Sequence, residues 1–207
     1  MSTTKLKLYN GALRLCEERR LASLAENREP RRLLDDVWAD DPVKLWLEQA
    51  NWQFAARTYK LTYDPDFTAE FGYTYAFEKP DDYVRTTAIS ANESLMPALT
   101  DFRDEGNYWY CHHDILYVTI VSDDEAYGRD MSKWPESFVR YAQADMAVEI
   151  NPRLSGSTAS TEGLMKIRRQ RLSDAMGKDG TNRPTIFPSP GTWSRARAGG
   201  RLNRERR

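Results

Sequence analysis

Apolar positions recur at steps of three and four near the start of the chain, at Leu6, Tyr9, Leu13 and Cys16, with Thr3 and Thr4 ahead of them as capping hydroxyls. The spacing predicts an amphipathic helix over 4–20, slightly weakened by Gly11. From Glu29 to Ala56, Leu34, Trp38, Leu45 and Trp52 stay near one face, and Pro30 falls in a first turn that tolerates it. This second helix is expected to be long, and kinked or split at Asp41-Pro42.

The period then shortens to two. Phe71, Tyr73, Tyr75 and Phe77 alternate with smaller residues and place four aromatics on one face of a strand. Pro80-Asp81-Asp82 reads as a turn, after which YVRTTAIS resumes as a β-branched strand. NYWYC and ILYVTIVS, with the polar His112-His113-Asp114 between them, predict a further hairpin.

Helical spacing returns at Trp134, Phe138, Ala142, Met146 and Ile150, widened by Val139 and Ala147 into a deeply buried face. Ser132 is the expected cap, Pro135 sits in the first turn, and Asn151-Pro152 should stop the helix. A last helix is expected from Thr158 to Met176, with Leu164, Ile167, Leu172 and Ala175 on one side and Lys166, Arg168, Arg169 and Arg171 mostly on the other. Gly177 and Gly180 would close it. The pattern predicts an α+β fold: a helical bundle of two N-terminal and two C-terminal helices (4–56 and 132–177), an inserted antiparallel β-rich region (57–125), and an extended C-terminal tail. The body is expected to span 1–180 and the basic tail 181–207.

Composition changes this picture mainly at the tail. The formal net charge is only −1 over 207 residues. From Thr181 onward, however, seven arginines face the single acid Glu205, leaving 23 basic and 30 acidic side chains in residues 1–180. An acidic body with a basic end implies different partners for the two. Three prolines and three glycines deny the tail a core of its own. Ile186, Phe187 and Trp193, set among prolines and Arg195, Arg197 and Arg201, suit a segment that docks in extended form on another surface. Two widely spaced cysteines make neither a disulfide framework nor a metal clip, which fits a reducing compartment. The start lacks an apolar core of the kind a cleavable leader carries, and no run of eighteen apolar residues occurs, so neither export nor membrane spanning is expected.

Candidate chemistry concentrates at Cys111, His112, His113 and Asp114, which include both histidines and one of two cysteines. Neighbouring residues of a strand point to opposite faces, so these four cannot converge on one ion without a special turn, and no second pair of ligands accompanies them. Cys111 as a nucleophile would lack a separated base. Phosphate-loop, dinucleotide, hydrolase-elbow and zincin patterns do not occur. The acidic doublets Asp35-Asp36, Asp40-Asp41, Asp81-Asp82 and Asp123-Asp124 fall at helix ends and turns, where capping and solvation explain them.

Five segments in order, LYNGALRLCEERRLASLAENREPRRLLDDVW, LEQANWQFAAR, FGYTYAFEKPDDYVR, ILYVTIVSDD and KWPESFVRYAQADMAVEI, resemble the tail tubular protein A family of short-tailed phages. The resemblance runs from about Leu8 to Ile150. Asp41-Pro42 interrupts what in that family looks like a continuous helix, and Cys111-His112-His113-Asp114 replaces a turn that usually bears glycine. The resemblance implies a structural virion protein, a head-to-tail adaptor made in the host cytoplasm. It implies a ring of twelve copies joining the portal protein to the tail nozzle, near the tail fibres, with DNA passing through the lumen. It brings no catalytic residue, metal or cofactor, and no membrane. The expected contacts with portal or a neighbouring copy are Ile186, Phe187, Trp193, Arg195, Arg197 and Arg201. Two other classes stay open on sequence alone: a metal-dependent hydrolase built on Cys111-His112-His113-Asp114, and a nucleic-acid-binding protein acting through the basic tail.

Overall fold

A computed structural model describes residues 3–67 and 71–182. Within them lie five α-helices and two small antiparallel sheets, a mixed α+β fold. Helix α1, Lys5–Leu15, begins at Thr4, whose side chain accepts from the Lys7 amide. It buries Leu8, Tyr9, Ala12 and Leu13. Gly11 has a packing reason: a Cβ there would overlap the Gln143 side chain, so glycine lets α1 press close to the helix that carries Gln143. Asn10 then anchors the irregular connection by accepting from the Leu21 amide (2.7 Å) and donating to the Leu21 carbonyl (3.0 Å).

The expected second helix is split where its sequence suggested. Helix α2, Glu29–Ala39, ends before Asp41, whose left-handed φ of 53° breaks the helical path, and Pro42 opens α3, Pro42–Glu48. The Asp41 carboxylate takes both arms of the Arg129 guanidinium at 2.8 and 2.7 Å. That bidentate pair ties the break to the loop after the sheets. The helical stretch does not reach residue 56. After α3 the chain passes a 3-10 turn, Gln53–Ala55, and enters strand β1, Ala56–Thr62, which alternates too briefly to stand out behind the helical pattern before it.

The remaining strands are β2 (Tyr75–Glu78), β3 (Tyr83–Ser90), β4 (Arg103–Glu105), β5 (Tyr108–Cys111) and β6 (Ile115–Ser122). The expected four-aromatic strand is shorter than its pattern: Phe71 and Tyr73 precede β2. The hairpin expected from NYWYC and ILYVTIVS does not form. Strand β6 is the centre of one sheet, ordered β1-β6-β3, while β5 is the centre of another, ordered β2-β5-β4. The short link at 112–114 therefore carries the chain between sheets. The reason is burial: each strand has two open edges and an apolar inner face, and separate sheets let Phe77, Trp109 and Cys111 of one meet Ile89, Leu116, Val118 and Ile120 of the other in a common core. Trp109 seals this core by donating its indole N–H towards Thr86 Oγ1 and Asp104 Oδ2, both at 3.1 Å.

Val121, one residue past Ile120, faces the other way and joins the larger helical core. At the centre of that core is α4, Glu136–Leu154, buried on nearly every side. Trp46, Trp52, Trp134 and Phe54 surround Phe138, with Trp52, Phe54 and Trp134 centroids within 5.0 Å of it. Three local expectations fail here. Ser132 does not cap α4, being bonded to Asp130 instead, and the cap position is Pro135. Pro152 lies inside the last turn, where tertiary packing outweighs one lost hydrogen bond. Helix α5, Thr158–Thr181, also runs through Gly177 and Gly180, because Asp179 on the same turn is buried and accepts the Gln53 amide at 3.0 and 3.1 Å.

Candidate functional site

The Cys111-His112-His113-Asp114 segment is pulled apart by the crossing between sheets. Cys111 ends β5 facing inward, fully buried, and its thiol donates towards the His113 carbonyl at 3.5 Å. Burial pushes that thiol's pKa up, away from a reactive thiolate. His112, His113 and Asp114 are exposed. The His112 ring lies 5.1 Å from the Tyr73 ring, and its Nδ1 is 3.1 Å from Thr74 Oγ1. Among the described residues no group of three His, Cys, Asp or Glu is placed to hold a metal ion. Cys16 is likewise raised, to about 11, by burial and the nearby Glu18 carboxylate.

The doublet Asp81-Asp82 divides. Asp82 is a structural hub, accepting from Arg57 (3.0 Å), Tyr59 (2.7 Å) and Ser122. Burial pushes its pKa up, but the bonds from Ser122, Tyr59 and Arg57 outweigh that and hold it below the usual carboxylate value. Asp145 joins three helices, taking the Trp46 indole N–H at 2.7 Å and Arg168 at 3.1 Å. Arg168 therefore lies on the packed side of α5, against expectation, while Ile167 is exposed. The register of a long helix is decided by such partners, which adjacent charges in a sequence do not reveal.

Apart from Leu24, which lies between α1 and α2, the exposed large apolar side chains fall in two regions of the fold. One comprises Leu45 on α3 and Met165, Ile167 and Met176 on α5. The other comprises Tyr63, Phe67 and Phe71 ahead of β2, with Met96 in the loop after β3. Phe67 stacks on Tyr108 at 4.4 Å and Phe71 packs on Tyr110 at 4.9 Å, giving an aromatic cover on the outer face of the β2-β5-β4 sheet. Tryptophans add little to this exposed surface among the described residues: Trp46, Trp52, Trp109 and Trp134 are buried and Trp38 is partly buried. The candidate tail contacts Ile186, Phe187, Trp193, Arg195, Arg197 and Arg201 lie outside the described residues.

No family model matches this chain, and no curated protein matches it. No described helix is long and apolar enough to cross a membrane.

Proposed function

We propose that the chain is a structural virion protein, a head-to-tail adaptor whose copies close into a ring between the portal and the tail nozzle and surround the DNA exit channel. The observation that carries the reading is the exposed apolar side chains in two regions, Leu45, Met165 and Met176 on α3 and α5, and Tyr63, Phe67 and Phe71 beside the β2-β5-β4 sheet. A closed ring requires each subunit to present two different patches, front and back, and a self-sufficient monomer would not need either. The five ordered sequence segments that resemble tail tubular protein A support the same reading. In it, the helices before and after the strands act as a bundle around the channel, and twelve copies match a dodecameric portal. The net acidic charge of residues 1–180 would limit adhesion of passing DNA wherever acids face the channel, since extensive phosphate neutralisation opposes sliding.

The basic tail, in this reading, docks in extended form on portal or on a neighbouring copy, with Phe187 and Trp193 as anchors and the arginines meeting acidic groups. Purified chain mixed with portal rings should co-sediment with them, and chain lacking 183–207 should do so less well while keeping its melting temperature. Full-length chain that sediments apart from portal would contradict the proposal.

A further inference from the structure

On one flank of the helices, α1, α4 and α5 enclose an open groove of about 530 Å3. Arg14 comes to it from α1, Arg140 from α4, and Arg171 and Lys178 from α5, with Asp174 the one acid in its lining. Arg171 is held across the seam by donating from Nη1 to the Arg140 carbonyl at 3.0 Å. Arg140 reaches Glu136 only at 3.6 Å, and Glu136 is already hydrogen-bonded to Lys7 at 2.9 Å. Among the described residues, neither Arg14 nor Arg171 lies within ion-pair distance of a carboxylate.

This gathering is not what composition would produce. Acids outnumber bases in residues 1–180, and Arg57, Arg129 and Arg168 each find one. In the groove, burial first and then the Arg14 and Arg140 charges pull the Arg171 guanidinium below its ordinary pKa. Guanidinium forks arriving from three helices offer N–H donors from several directions. A flat carboxylate answers one fork, whereas a tetrahedral dianion with several acceptor oxygens answers all of them.

We infer that the groove between α1, α4 and α5 binds a phosphate group through Arg14, Arg140 and Arg171. The phosphate is either free in solution or part of a nucleic-acid backbone, and the inference stands independently of the adaptor reading. The test uses the full chain and the double variant Arg14→Gln/Arg171→Gln at constant ionic strength, exchanging chloride for inorganic phosphate. The wild type should rise by roughly 5 °C in melting temperature once phosphate exceeds its Kd about a hundredfold. The variant, compared with its own melting temperature in chloride, should show only the general salting effect of phosphate. A second arm measures retention of a short DNA duplex against salt. If the backbone is the source, the variant's log–log salt slope falls by about two; if free phosphate is the source, the slope is unchanged while the melting response is lost. Equal phosphate response together with equal duplex slope in the two proteins would overturn the inference. So would a wild type that ignores phosphate and duplex alike but changes its self-association in the variant, which would assign the groove to a carboxylate of a second copy.

Discussion

Gly128 lies where the chain passes close to its own backbone: a Cβ there would overlap the Ser122 carbonyl oxygen and press on Leu47. Backbone cannot step aside as a flexible side chain can, so Gly128→Ala should lower unfolding free energy in urea by about 1–3 kcal/mol. Gly163, inside α5 with open space where a Cβ would go, should behave oppositely and gain up to about 1 kcal/mol as alanine. Asp82 sets a pH dependence. Its folded-state pKa is depressed, so its contribution is present above the ordinary carboxylate value and is lost as pH falls through the folded-state value. Between pH 6 and pH 3 the wild type should lose stability more steeply than Asp82→Asn, measured by denaturant midpoints; equal slopes would remove Asp82 from the account. Neither role is written in the local sequence, where Asp82 reads as half of a solvated doublet.

At the scale of elements, Asp145 links α3, α4 and α5 through Trp46 and Arg168. Asp145→Ala should cost about 1.5–3 kcal/mol, because it strands an indole N–H and a guanidinium that were bonded to a charge. A cost near zero in the same urea titration would mean that the helices are held by apolar packing alone. Helix positions were legible because Tyr9, Leu34, Phe138 and Leu164 each recur with other apolar residues at steps of three and four. The break at Asp41-Pro42 was legible too, since proline at a helix start and an interrupted stripe both mark it. Strand partnership was not. Strands β5 and β6 are adjacent in sequence and separated by three residues, the usual signature of a hairpin, yet each pairs elsewhere. Only the common core of Trp109, Cys111, Leu116 and Val118 makes the crossing favourable, and that is a property of two sheets together. The arginine groove was hidden for the same reason: Arg14, Arg140 and Arg171 are far apart in sequence and meet only when three helices pack.

For the whole molecule, the charge asymmetry of the sequence and the exposed apolar side chains on the helices and beside the sheets are the features that the proposed ring would use. The chemistry-bearing segment at 111–114, by contrast, is divided between a buried thiol and exposed imidazoles. Among the described residues the spare surface comes from Leu45, Met165, Met176, Phe67 and Phe71, while Trp46, Trp52, Trp109 and Trp134 are taken up by the cores. The central claim is that these surfaces are completed by identical neighbours on a portal. Electron-microscopic imaging of purified full-length chain incubated with portal rings tests it most directly. The account predicts a closed ring of added density, coaxial with the portal and matching its symmetry; portal rings left bare beside dispersed monomers would contradict it.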